Sequence, residues 1–172
     1  MVSRSDLEQG LWLAPEEAGK SVIVERAGLQ IAVFFLPSLQ DSFILPNTAM
    51  RNQIDALAAD LKGKSDLLIG ISPWGAQGER FYLENGNPRF DILLGAGNGP
   101  GLNGQLLNKG KTLWVRPYTK GQAVQKIEVL ASAVKNPETA WKIGANMTFA
   151  SLPLRETMPE DLETQTVLQG LE

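Results

Sequence analysis

Two short apolar runs, separated by room for one helix, constrain this chain more than any other feature. Asp66-Leu67-Leu68-Ile69-Gly70-Ile71 and Phe90-Asp91-Ile92-Leu93-Leu94 are nearly continuous in apolar character, and turn residues bound each of them. Such runs mark strands buried on both faces, the condition of parallel strands covered by helices. Between them Ala76 to Glu84 suits a short helix, and Asn85-Gly86 supplies its stop. Strand, helix, strand at this spacing predicts a parallel βαβ unit with a right-handed crossover.

The flanking segments extend that unit. Ser21 to Arg26 alternates and is rich in β-branched residues, Gly28 follows as a turn residue, and Leu29 to Leu36 resumes as an apolar strand. A β-hairpin is predicted. The near-continuous run Ile31 to Leu36 predicts a strand covered on both faces. Pro37 to Pro46 reads as loop. Asn47-Thr48 then offers a helix cap, and Met50, Ile54, Leu57 and Leu61 form one apolar face of a helix ending at Gly63. After Leu94 the composition shifts to a glycine-rich loop, Gly95 to Gly104. Thr112 to Pro117 and Ala123 to Leu130 read as strands joined through Lys120-Gly121. Ser132 to Glu138 reads as a polar connection, Met147 to Leu154 as a last strand and Glu160 to Leu168 as a marginal helix. The fold class is therefore α/β, with a mixed sheet that contains a parallel βαβ unit flanked by helices.

Composition limits the chemistry. The 172 residues include neither histidine nor cysteine. Ser–His–Asp catalysis, thiolate nucleophiles, disulfides and His- or Cys-ligated metals are thus outside the chain's reach. Carboxylate, amide and backbone oxygens remain, a donor set suited to magnesium or calcium. The net charge of −3 does not suit a surface that tracks nucleic-acid phosphates. The longest apolar stretch, Ile31 to Pro37, is too short for a membrane span. Met1 to Gly10 carries Arg4, Asp6 and Glu8 and lacks the apolar block of a secretory signal. Leu171-Glu172 matches what a common cloning site leaves before a C-terminal tag, so a piece excised from a larger protein is the expectation.

In a parallel α/β sheet, ligands gather beyond the carboxyl ends of the strands. Two loops belong there: Ser72-Pro73-Trp74-Gly75, and the start of the glycine-rich loop with Gly95, Gly97, Asn98 and Gly99. Gly99 to Gly104 fits G-x-G-x-x-G in letters. A dinucleotide fingerprint must open a helix, however, and Leu106 is followed by Asn108-Lys109-Gly110 and a strand. Asp66 and Asp91 stand at strand starts, the opposite end from these loops, and read as solvent-facing. Asp41 with Ser42, or Glu79 with Glu84, could be invoked as acids, but nothing in the sequence sets their separation, and Ser72 has no base. Trp74 reads either as a stacking wall for a ring-shaped ligand or as a buried loop anchor. Trp12, Trp114 and Trp141 read as packing residues. Asn146-Met147-Thr148 matches a glycosylation sequon.

At these two loops the sequence resembles the 5'-nucleotidase and UDP-sugar hydrolase branch of the calcineurin-like metallophosphoesterases. There a strand ends in S-H-x-G, and a helix and a second strand lead to G-G-H-[ST]-H. Here the corresponding segments are Ile69 to Gly75 and Phe90 to Gly99, followed by Gly110 to Val115 and Gly121 to Ile127. Upstream, Val22 to Glu25 with Gly28 to Val33 resembles the family's strand pair, so the likeness runs from about residue 20 to 130 in the right order.

The resemblance implies the C-terminal half of that family's αββα sandwich. It divides the chain into an N-terminal extension (1–19), a degenerate phosphoesterase-like domain (20–131), a C-terminal connection (132–170) and the remnant 171–172. It also implies that Pro73, Gly97 and Gly99 occupy positions where the family carries metal-binding histidines. The family's D-x-H, G-D-x-x-D and G-N-H-[DE] motifs are absent from this chain. The family's dinuclear metal centre activates water, so no catalytic residue, metal ligand or cofactor is expected here. The implied role is a non-catalytic scaffold or interaction module of a larger periplasmic or extracellular protein. Its partners would be other domains of that protein or a second copy, with neither nucleic acid nor a membrane span. A binding module that keeps the ancestral pocket, and part of an enzyme whose remaining motifs lie elsewhere, are the alternatives.

Overall fold

A computed structural model describes residues 19–39, 45–134 and 140–155. The N-terminal extension up to residue 18 with Trp12, the helix expected at Glu160 to Leu168, and Leu171-Glu172 lie outside the described residues.

The hairpin forms as β1 (Ser21–Arg26) and β2 (Leu29–Phe35), paired antiparallel with Val22 opposite Val33 and Val24 opposite Ile31. Its two-residue turn places Ala27 and Gly28 at φ of 51° and 72°. Left-handed conformation at both turn positions matches the twist of the strands it joins. The first helix, α1 (Thr48–Lys62), starts where Asn47 Oδ1 accepts the Met50 N–H at 2.9 Å, and it buries Ile54, Ala58 and Leu61. The βαβ unit follows as β3 (Leu67–Ser72), α2 (Gly75–Asn85) and β4 (Ile92–Gly95). Gly86 closes α2 by donating its N–H to the Tyr82 carbonyl.

Beyond β4 the structure departs from the sequence reading. The glycine-rich loop ends early, because Leu102, Asn103 and Gly104 open a strand, β5 (Leu102–Leu107). Its glycine and asparagine hide the strand periodicity, and a register irregularity interrupts its pairing between Leu102 and Gln105. Next come β6 (Thr112–Arg116), β7 (Ala123–Val129) and β8 (Met147–Pro153). The segment read as a polar connection begins instead with a helical turn, Ala131–Val134, whose Val134 is buried.

Six strands form one sheet in the order β1-β2-β3-β4-β6-β5. The central four are parallel, and β1 and β5 run antiparallel at the edges. The molecule is thus α/β with a mixed sheet. β7 and β8 form a separate antiparallel ribbon. Both helices cover one face of the main sheet, packing around Phe34, Leu68, Tyr82, Phe90, Leu93 and Trp114. On the other face Leu29, Leu67, Ile92, Leu113 and Val115 are buried with Val134, Trp141 and Met147. Ile31, Val33 and Phe35 on that face are only half-buried. Strand β2 is thus fully covered on the helix side at Ala32 and Phe34 and partly covered on the other, where Leu29 is buried and Ile31 packs against the residues buried there. No described helix is long and apolar enough to cross a membrane.

Candidate functional site

The loops after β3 and β4 lie side by side, as parallel pairing of Ser72 with Gly95 requires. Their backbones bond to each other. Ala96 donates its N–H to Ser72 O at 2.7 Å, Gly75 N donates to Ala96 O at 2.9 Å, and Ala76 N donates to Asn98 O at 2.8 Å. Ser72 is fully buried, and its hydroxyl accepts the Trp74 N–H at 3.3 Å. Pro73 faces solvent. Of the two readings of Trp74, the buried anchor is what the fold contains. The side chain is 1% exposed, donates Nε1–H to Pro37 O at 2.6 Å, and meets the Tyr82 ring edge-on at 5.7 Å.

Close approach makes glycine necessary in these loops. At Gly97, φ is 72°, and a Cβ would stand 2.7 Å from Pro73 O. At Gly99, φ is 125°, and a Cβ would stand 2.5 Å from the Ala76 methyl. A side chain at Gly95 would run into the Glu79 carboxylate. These positions have no room for a larger residue without backbone movement.

Glu79 is the residue around which the site is organised. It sits on α2, fully buried, beneath the glycine-rich loop. One oxygen accepts from Arg116 Nη1 at 2.5 Å and from Trp114 Nε1 at 2.8 Å, and the other accepts the Ala96 N–H at 3.2 Å. Arg116, 2% exposed, spends its remaining donors on the loop: Nη2 to Gly97 O at 3.0 Å and Asn98 O at 3.1 Å, and Nε to Pro100 O at 3.1 Å. A carboxylate buried this deeply requires such a partner. Burial pushes the Glu79 carboxyl above its ordinary range, opposed by the Arg116 and Trp114 bonds, the Arg116 charge and the Ala96 amide. By linkage this contribution to stability falls as pH rises from the ordinary carboxylate range through the raised value.

The sequence reading missed this cluster. Glu79 had no visible partner, and Trp114 was read as packing. A signal was present in the phase of β6, where Thr112, Trp114 and Arg116 alternate onto the helix-covered face. A cation at such a position calls for an anion.

The other sequence candidates lie elsewhere. Asp91, expected to face solvent, is largely buried at the amino end of the sheet, 2.5 Å from Lys62 Nζ and 2.7 Å from the Leu68 N–H. Its carboxyl is raised by burial, with Lys62 and the amide opposing. Asp66 accepts the Gln30 N–H at 2.8 Å. Asn146 of the sequon is held on both sides of its amide, by the Lys142 N–H at 2.6 Å and by Ala140 O at 3.1 Å. Asp41 and Ser42 lie outside the described residues.

The positions that the resemblance assigns to histidine do not fit a dinuclear metal centre. Pro73, Gly97 and Gly99 present no side-chain donor, and the bordering carboxylate of Glu79 is engaged by Arg116 and Trp114. Among the described residues, no three acidic side chains gather in one place.

Beside the lashed loops opens a cleft of about 290 Å³, between the first turns of α2 (Ala76, Gln77, Arg80), residues 100–102, and Trp114 with Arg116 of β6. Comparison with protein-family models and with curated proteins finds no match to this chain.

Proposed function

We propose that this chain is a non-catalytic, phosphoesterase-like domain that serves as a scaffold or interaction module of a larger protein. It docks through the face of its main sheet opposite the helices. The observation that carries this reading is a patch of half-buried apolar residues there. Val22, Val24, Val33, Phe35, Ile69 and Ile71 project on the same side, as the register pairs Val22–Val33, Val33–Ile69 and Phe35–Ile71 require. Burying apolar surface yields about 25 cal/mol per Å², so completing this face would favour association.

The carboxyl end supports the same reading from the other direction. Groups that a catalyst would present to substrate are here committed to one another: Ser72 to Trp74, Glu79 to Arg116, and the loop carbonyls to Arg116. The half-covered sheet also accords with descent from one half of a two-sheet sandwich, which is why a phosphoesterase-like ancestry remains our reading. A periplasmic or extracellular setting follows from that ancestry alone.

Two measurements test the proposal. Sedimentation of the purified chain is expected to show concentration-dependent association that Val33→Lys or Ile69→Lys abolishes while the circular dichroism spectrum is kept. Association unaffected by either lysine would sink the docking surface. Hydrolysis of a phosphomonoester with added manganese or zinc, lost on chelation, would overturn the non-catalytic part.

A further inference from the structure

The cleft beside the glycine-rich loop holds a cation that the fold has not neutralised. Arg116 on its floor is spent on Glu79 and three loop carbonyls. Arg80, one turn into α2, is exposed. Its guanidinium lies over the Trp114 ring, 5.6 Å from the centroid, and among the described residues it makes one hydrogen bond, a long one of 3.4 Å to Gln105 Oε1. Among the described residues no carboxylate pairs with it. Stacking on a buried indole holds the guanidinium in place, so little of its freedom remains to be lost on binding an anion.

The rest of the lining selects among anions. Ala76, Pro100, Leu102 and Trp114 give apolar walls, and Gln77 adds an amide beside the mouth. About 290 Å³ accommodates a small organic molecule rather than a bare ion. We infer that this cleft binds a small carboxylate with a flat apolar body, its carboxylate taken by Arg80 and its body set against Pro100, Leu102 and Trp114. A planar guanidinium matches a carboxylate in two parallel hydrogen bonds, whereas a neutral analogue forfeits them. The cleft lies at the carboxyl end of the strands, apart from the proposed docking face, so either reading can fail alone.

The test titrates benzoate, acetate, benzyl alcohol and inorganic phosphate into the full chain. Binding is followed by Trp fluorescence and by backbone amide shifts of Gln77, Arg80, Gly101 and Leu102. Saturable millimolar binding of benzoate is expected, tighter than that of the other three. Arg80→Gln should weaken it by roughly tenfold or more, with an unchanged melting temperature showing that the fold is kept. Arg80→Lys should recover it only in part, because a point charge replaces a fork. Three results would each overturn the inference: no saturable benzoate binding, benzoate binding indifferent to Arg80→Gln, or phosphate binding as tightly as benzoate.

Discussion

The two faces of the main sheet are built from the same strands yet finished to different degrees. On the helix side, Phe34, Leu68, Leu93 and Trp114 meet α1 and α2 and are all but inaccessible. Aromatic rings interlock there: Phe34 stacks on Phe90 at 6.0 Å, and Tyr82 meets Trp74 and Phe90 edge-on. On the opposite side only part of the sheet is sealed by Val134, Trp141, Met147 and the β7–β8 ribbon, and the residues of β1 to β3 near the hairpin stay half-buried. The ribbon itself is incompletely satisfied. Gln125 and Ser151, opposite each other in the register, bury side-chain polar atoms that find no hydrogen-bond partner among the described residues. Both faces thus hold a buried cluster, but the helix side is closed across the middle of the sheet, whereas the opposite side keeps half-buried apolar residues on β1 to β3.

The sharpest way to break this comparison is at the buried ion pair. Glu79→Ala strands Arg116 beneath the loop and is expected to cost about 3–5 kcal/mol in urea unfolding. The joint replacement Glu79→Leu with Arg116→Met should cost much less, because no unpaired charge is left. If the double variant proves as unstable as the single one, the lost tethers from Arg116 to the loop carbonyls, and not the stranded charge, carry the cost.

Neighbouring residues in β2 offer a direct test of the two faces. Phe34→Ala removes a fully buried ring from the helix side and should cost about 3–5 kcal/mol. Val33→Ala, on the other face, should cost roughly 1 kcal/mol because its methyls are already partly hydrated. Equal losses would mean that the second face is better sealed than its half-exposed residues suggest.

Smaller effects sharpen the picture at the loop and in the aromatic core. Gly97→Ala puts a methyl at a left-handed φ against Pro73 O and should destabilise by about 1–2 kcal/mol, with loss of the Ala96-to-Ser72 amide's protection from exchange. Tyr82 is buried and donates to Asp55 Oδ1 at 2.6 Å; burial, then Asp55, pushes its phenol well above the ordinary 10.0. The folded chain keeps a proton that the unfolded chain releases, so this contribution is whole below about pH 10 and is lost as pH rises beyond it. Melting curves across that range should lose part of their alkaline slope in Tyr82→Phe. The same variant should cost about 1 kcal/mol at neutral pH.

Local signals made much of the scaffold legible in advance. Asn47 and Gly63 bracketed α1, Asn85-Gly86 ended α2, and the apolar runs located β3 and β4 to within a residue or two. Strand β5 escaped because Asn103 and Gly104 read as loop; they lie at the register irregularity, and the pairing with β6 runs through Leu102 and Gln105 to Leu107 on either side of them. The candidate loops were placed correctly at the carboxyl ends of β3 and β4, since parallel topology dictates that end. Their chemistry was not legible. Glu79 and Arg116 are 37 residues apart, and no periodicity links them.

By itself, the sequence determined what this chain cannot do with imidazole or thiol, and where the hairpin, both main helices and the strands of the βαβ unit lie. Those properties depend on residue type and near neighbours. Tertiary structure alone decided that Trp74 is an anchor, that Asp91 and Glu79 are buried and paired, that among the described residues no carboxylate meets Arg80, and that one sheet face keeps half-buried apolar residues. Each of these turns on which distant segment excludes water from a given side chain, and a linear pattern does not carry that information.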